Sequence, residues 1–309
     1  LQTGSALFFK NEPTANLDPE STEELAEILK VVKSQGIAIV IVDHRLYWLE
    51  GLIDQAVIMD QGQMAWQGCF QELHSRELQN RFGLRATRVS DPRHSLPELP
   101  QSNSYVGLRN ISFSYYRDKP LFKGLDFDLP QCSVVGMIGP NGAGKTTLAR
   151  LMVGLLRLGK GEIRINNRPI RPKKLLARTS IVLQNMDHQL HMRTVNQELV
   201  TAMGSGSRAI PGQVEQMLDR FNLGHLAQRH PQSLSGGEKQ RLVIACGMIR
   251  SPEILILDEP TSGLDGRNMA IIAESLKQCA GEKGIVLVIS HDLELLAMAC
   301  THLLSLESV

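Results

Sequence analysis

The run Gly139-Pro140-Asn141-Gly142-Ala143-Gly144-Lys145-Thr146 fits the pattern G-x-x-x-x-G-K-[ST] without a mismatch. Glycines at these positions let backbone N–H groups converge on one anion. Lys145 reaches the β- and γ-phosphates of a nucleotide, and the Thr146 hydroxyl suits an Mg²⁺ shell. Further along, Asp258 and Glu259 close the apolar run Ile254-Leu255-Ile256-Leu257. Two carboxylates there are costly without a cation. Beside a phosphate loop they divide the work, Asp258 holding the metal shell and Glu259 polarising a water. Leu234-Ser235-Gly236-Gly237-Glu238 opens another stretch of helical character and offers a second anion site at a helix start.

These residues need elements to hold them. Ser133 to Ile138 is a short apolar run that reads as a buried strand. Thr146 to Leu156 reads as a helix, with Leu148, Leu151, Met152 and Leu155 on its apolar face. Strands are expected at Ile37–Val42 and Ile285–Ile289, leading into His44 and His291. A helix over 20–35 carries Leu25, Ile28, Leu29 and Val32 on one face. Strands alternating with helices predict an α/β fold with a mostly parallel sheet. The 309 residues suit two domains, and 42% hydrophobic content allows a real core. A net charge of +1 gives no global field for nucleic acid, and no nucleic-acid partner is expected. The five scattered cysteines form no C-x-x-C pair, which argues for a reducing compartment and against a disulfide framework or a zinc site. His188 and His191 have no accompanying carboxylate or cysteine cluster that would make a metal site of them. No apolar run approaches the ~20 residues that span a bilayer. The chain opens at Leu1, almost directly into a motif, which is the expectation for a fragment.

The chain also repeats itself. Set against Glu259, Glu12 gives an offset of 259 − 12 = 247, and Asp18 with Asp265 and His44 with His291 give the same value. A constant long offset means duplicated domains rather than a short-period solenoid. A partner of Lys145 would fall at 145 − 247 = −102, so the first copy is expected to hold only its C-terminal part. The reading is residues 1–74 as that part, 75–104 as a Pro-, Ser- and Asn-containing linker, and 105–309 as the second copy.

With these motifs in order, the chain resembles the nucleotide-binding subunit of an ABC transporter, and Leu234 to Arg241, LSGGEKQR, matches that family's signature. The likeness covers essentially all of 105–309 and part of 7–73. It implies a P-loop NTPase domain of the ABC ATPase type, with a mostly parallel sheet and a helical subdomain, preceded by the C-terminal part of a second such domain. It implies ATP and Mg²⁺ as ligands, with Gly139 to Thr146 and Thr147 around the phosphates and Thr146, Gln184 and Asp258 around the metal. Glu259, His291 and Gln184 would be catalytic. Gln184 resembles the glutamine that senses the membrane subunit, and His291 the switch histidine, although a histidine after a strand is also a common structural residue. Asp265 resembles the aspartate of the loop linking two sites, and it equally suits a helix N-cap. Tyr115 resembles the aromatic that stacks on adenine, with Tyr116 able to take that place and a core tyrosine as the plain alternative.

Gln184-Asn185-Met186-Asp187-His188-Gln189 resembles the Q-N-P-D-D-Q pattern of energy-coupling-factor importers for vitamins or for cobalt or nickel, with Met186 and His188 departing from it. The partners implied are transmembrane transporter subunits, a substrate-binding membrane component and a second nucleotide-binding domain. The location implied is peripheral, on the cytoplasmic face of the membrane. The rival readings are a soluble translation or repair factor of the same family and a non-catalytic remnant. The remnant reading draws on the first copy, where Asn11 stands in the place of Asp258 and Lys10 replaces an apolar residue of a strand expected to be buried. Glu12, Asp18 and His44 remain there.

Overall fold

A computed structural model describes residues 7–14, 17–100, 105–116, 119–204, 212–281 and 284–306. The chain divides into two compact units. One is Leu1–Ser90 with Ser262–Ala270, and the other is Asp91–Thr261 with Ile271–Val309.

The first unit contains β1 (Leu7–Asn11), α1 (Pro19–Ser34), β2 (Ala38–Val42), β3 (Ala56–Asp60), β4 (Gln63–Gly68) and α2 (Arg76–Phe82). β1 and β2 pair in parallel, and β3 and β4 form an antiparallel hairpin. Asp18 caps α1 by accepting from the Ser21 N–H at 2.8 Å, and Pro19 occupies the first helical turn, where its missing N–H costs nothing. The core gathers Leu29, Trp48, Leu49, Leu52, Ile58, Phe70 and Leu73. Of the apolar face expected on α1, Leu29 is fully buried, whereas Ile28 stays 60% exposed, because the stripe that meets the core is narrower than the sequence pattern. Lys10 lies on an exposed strand rather than a buried one, so its charge meets water at no penalty. Of the segment 75–104, expected as a linker, the part up to Ser90 belongs to this unit, carries α2 and buries Arg85 and Thr87, while Pro92 is buried in the second unit.

The second unit holds β5 (Val106–Tyr116), β6 (Lys119–Leu129), β7 (Ser133–Ile138), α3 (Lys145–Met152), β8 (Lys160–Ile165), β9 (Arg168–Pro169), α4 (Pro172–Leu176) and β10 (Thr179–Val182). It continues through α5 (Val195–Met203), α6 (Gln213–Arg220), α7 (Gly236–Met248), β11 (Ile254–Asp258), β12 (Ile285–Ile289), α9 (Leu293–Ala299) and β13 (His302–Ser305). α8 (Gly266–Gly281) lies between β11 and β12 in the chain. A five-stranded parallel sheet runs β10-β11-β12-β7-β13. β11 and β12 are buried along their whole length, as central parallel strands must be. Beside it stands a four-stranded antiparallel sheet, β6-β5-β8-β9, which alternation of strands and helices did not announce. One core joins both sheets through residues such as Leu108, Ile111, Leu129, Met137, Leu148 and Ile256. α5, α6 and α7 form a helical insertion between β10 and β11. α3 ends at Met152, earlier than the expected Leu156. The chain turns at Gly154 and leaves Leu155 53% exposed. Among the described residues no helix is long and apolar enough to cross a membrane.

Two stretches of the chain share a pattern at one offset. β1 and β11, α1 and α8, and β2 and β12 start 247 residues apart (254 − 7, 266 − 19 and 285 − 38) and end the same distance apart. The strand registers correspond too, Leu7 facing Ala38 and Ile254 facing Ile285. The residue after each first strand, Glu12 or Glu259, has a left-handed backbone, with φ of 44° and 50°. Each donates its N–H to the end of the next strand, at Val42 O (2.7 Å) and Ile289 O (2.8 Å).

Candidate active site

β7 delivers the chain into residues 139–144, and α3 begins at Lys145. Two glycines are required here. Gly139 has φ 148°, and a Cβ would collide with the Leu306 carbonyl. Gly144 has φ 93°, and its Cβ would lie 2.7 Å from the Phe122 ring. Ala143 N–H closes a turn onto Pro140 O at 3.2 Å, while Asn141 and Gly142 stay exposed. Lys145 is buried, and its Nζ donates to Gly139 O at 2.6 Å and Pro140 O at 3.0 Å. The ammonium therefore sits within the loop it would share with a phosphate. Thr146 Oγ1 donates to Asp258 Oδ2 at 2.7 Å across 112 residues of sequence. Tyr115 Oη lies 3.1 Å from Thr147 Oγ1, which sets the half-exposed ring beside the first turn of α3. Its edge-to-face contact with Phe113, at 4.9 Å between centroids, holds it there. Tyr116 is more exposed still, so neither tyrosine is a core residue.

Asp258 and Glu259 are 7% and 8% exposed. Burial pushes the Asp258 carboxyl above its ordinary range, although the Thr146 hydroxyl and the charges of Lys145 and Arg150 pull the other way. Its ionised form thus lacks a full complement of positive partners. The left-handed turn at Glu259 aims its carboxylate at the chain leaving β12, where it accepts from Ser290 Oγ (3.0 Å) and the His291 N–H (3.1 Å). Thr261 Oγ1 donates to Asp292 Oδ2 at 2.6 Å, and Asp292 caps α9. The two strand ends are stitched together at the carboxyl edge of the sheet, where open α/β folds bind ligands. His291 is buried beside Glu259.

Gln184 lies exposed just past β10. Its loop is braced by Gln189, whose side chain accepts from Leu183 N–H (3.1 Å) and donates to Leu183 O and Asn185 O (2.8 Å each). Ser235 caps α7 in a reciprocal box with Glu238, while Leu234 is buried and Gly236 and Gly237 form the first turn. Burial raises the Glu238 carboxyl, but the Ser235 backbone and hydroxyl bonds outweigh it and hold it below the usual value. Lys239 reaches from α7 to Asp187 at 2.8 Å and to Gln232 at 3.2 Å, tying the signature helix to the Gln184 loop. Sequence reasoning assigned no task to Gln189, Lys239 or Ser290. Gln189 stood inside a recognised pattern, and Ser290 and Lys239 adjoined or lay within motifs, but only packing shows what they touch.

Asp265 caps α8 through the Asn268 N–H at 2.8 Å, as Asp18 caps α1. In the first unit its loop is held by Gly266 N–H donating to Gly83 O at 2.8 Å and by Arg267 bonded to the carbonyls of Asn80 and Arg81. Glu12 is half-buried, its carboxylate adjoining Gly263, while Asn11 and His44 are exposed. Asp43 accepts from Thr14 Oγ1 and the Arg45 N–H, both at 2.8 Å.

The ABC transporter family pattern matches residues 122–262. A putative ABC transporter ATP-binding protein of Treponema denticola is 32% identical over 310 residues, 97% of this chain and 62% of that protein. A protein of the same description from Clostridium tetani is 30% identical over 310 residues, 91% of this chain and 71% of that protein. The putative HMP/thiamine import ATP-binding protein YkoD of Bacillus subtilis is 29% identical over 321 residues, 94% of this chain and 58% of that protein. The chain thus spans less than two thirds of the Treponema and Bacillus relatives. Among solved structures, cbiO1 of Clostridium perfringens, part of the ABC transporter complex cbiONQ, matches with a TM-score of 0.59 and 27% identity, covering 67% of this chain and 88% of that one. Sequence relatives and fold agree, and the chain belongs to the family of ABC transporter ATP-binding proteins.

Proposed function

We propose that this chain binds ATP with Mg²⁺ at residues 139–147 and hydrolyses it to drive import through separate membrane-embedded subunits. The observation that carries the reading is the Thr146–Asp258 pair at 2.7 Å, set between a glycine loop and a catalytic-type glutamate. Two hard oxygen donors suit Mg²⁺, and the positive-φ glycines leave the backbone open to a triphosphate. When bound, metal and nucleotide supply the charged phosphoryl group and the neutralisation of its developing charge. Lys145 exchanges its contacts with Gly139 O and Pro140 O for phosphate oxygens. Thr146 and Asp258 would hold the metal through their side-chain oxygens. Glu259, oriented by Ser290 and the His291 N–H, takes the proton of the attacking water at its carboxylate. In this reading His291 and Gln184 would contact the same group from two loops, and Tyr115 would stack on the base.

The reading extends to two copies, residues 1–74 and 105–309, in which Ser235 to Glu238 serve the phosphate loop of a second nucleotide-binding domain. The shared offset of 247 supports it. Likeness to YkoD and to cbiO1, with the Gln184–Gln189 pattern, favours an energy-coupling-factor type of importer, attached peripherally to the cytoplasmic face through its transmembrane and substrate-binding partners.

Lys145→Ala tests the nucleotide site. ATP affinity measured by titration is expected to fall by about a hundredfold or more, the scale of losing charge-assisted hydrogen bonds at several phosphate oxygens. Unchanged affinity overturns the assignment. Co-purification with integral membrane proteins, rather than with ribosomes, tests the transport half.

A further inference from the structure

In the second unit a cleft of about 780 Å³ opens against the β8–β9 hairpin and α4, lined by residues that include Asn166, Arg168, Ile170, Arg171, Lys174 and Arg178. It shares no residue with the phosphate loop. Its charge is segregated in a way the whole chain is not. From Ile163 to Met186 there is no Asp or Glu, while Arg164, Arg168, Arg171, Lys173, Lys174 and Arg178 are all present in a protein of net charge +1. Arg178 is already committed, its Nε and Nη2 each 2.5 Å from a carboxylate oxygen of Glu253. That carboxyl also accepts from Tyr105 Oη at 2.7 Å. Burial pushes Glu253 up, but the Arg178 and Tyr105 bonds outweigh it and keep it ionised below the ordinary range, so this acid is neutralised where it stands. Arg164 is likewise paired, with Glu162 at 2.5 Å.

Arg168, Arg171 and Lys174 are left exposed, without an ion pair among the described residues. Three like charges around one concavity repel one another, and an anion that enters relieves all three. Guanidinium groups match the geometry of phosphate oxygens, and the Asn166 amide adds a neutral donor. We propose that this cleft is a second anion site that binds a phosphate-bearing anion, either a soluble polyphosphate or a phospholipid headgroup.

The experiment uses the full chain carrying Lys145→Ala, so that the phosphate loop is silent. Sodium tripolyphosphate is titrated calorimetrically at about 150 mM salt, where distant surface charges are screened. In parallel, flotation compares phosphatidylglycerol with phosphatidylcholine vesicles. Binding is expected in one arm, and which arm responds identifies the source. The combined variant Arg168→Ser, Arg171→Ser, Lys174→Ser is expected to weaken it about tenfold or more, the scale of losing one charge-assisted hydrogen bond. Arg171→Glu alone is expected to do the same with an unchanged unfolding midpoint. The combined variant with Lys145 restored is expected to bind ATP as the parent does, which keeps this site's failure distinct from failure of the nucleotide site. No binding in either arm, or binding undiminished by these variants, overturns the proposal.

Discussion

β1 with Asn11–Glu12 and β11 with Asp258–Glu259 are two versions of one device in one chain. Both strands pair in parallel with the same partner register, and both end in a left-handed glutamate bonded to the neighbouring strand. Both are followed by an aspartate-capped helix. Their surroundings differ. β11 lies inside five strands and is fully buried, whereas β1 and β2 form a two-stranded sheet with Phe8, Phe9, Val40 and Val42 exposed. Local conformation thus follows from local sequence, while burial and the charge chemistry that burial enables depend on flanking strands. Asp258 carries a carboxyl strained by desolvation, and at the equivalent exposed place Asn11 carries no charge at all.

The comparison breaks most easily at the glutamates. Glu259→Gln is expected to lower ATP turnover by about a hundredfold or more while ATP still binds, the usual scale of losing a general base. Glu12→Gln is expected to change turnover by less than about twofold, because the metal-side carboxylate is absent beside it. Steady-state rates of both variants check this, and a tenfold loss in Glu12→Gln would make the two glutamates functional equals.

Burial gives the next largest contrast. Ile256 and Phe9 stand at the same place in β11 and β1, one fully buried and the other 61% exposed. Ile256→Ala is expected to cost about 2–5 kcal/mol in urea unfolding, and Phe9→Ala at most about 0.5 kcal/mol. Equal costs would mean that β1 is covered in solution. The caps should behave alike in α1 and α8. Asp18→Ala and Asp265→Ala are each expected to cost about 1 kcal/mol of local stability, read by hydrogen exchange at the first turns of α1 and α8.

The smallest expected effect has the opposite sign. A carboxyl whose folded pKa is raised costs stability once pH exceeds both its unfolded and folded values, because the ionised form is disfavoured in the fold. At neutral pH, Asp258→Asn is therefore expected to raise the unfolding midpoint of the nucleotide-free protein while abolishing magnesium-dependent ATP binding. Asn11→Asp, at an exposed position, is expected to leave the midpoint unchanged. A lowered midpoint in Asp258→Asn would show that its bond to Thr146 outweighs its desolvation.

Much of this was legible in advance. β7, β12 and the strand ending in Asp258 fall where apolar runs placed them, and α1 lies within a residue of its expected bounds. The 247-residue spacing was read from three pairs of side chains and recurs in whole elements. Other features were hidden. Leu155 continued the helical pattern of α3, but Gly154 ends the turn. The antiparallel sheet escaped notice because β5 and β6 are irregularly registered, which blurs their alternation. Lys239 meets Asp187 from 52 residues away, a partnership no local pattern encodes.

Taken alone, the sequence determined the glycine loop, the helix caps, the strand ends and the paired carboxylates, because each rests on backbone preferences and neighbours within a few residues. Tertiary structure alone decided that Asp258 is desolvated against Thr146, that Ser290 aims Glu259, and that β1 faces water. Those outcomes depend on which distant strands and helices come to lie alongside, and dielectric and charge proximity are properties of that packing rather than of the order of residues.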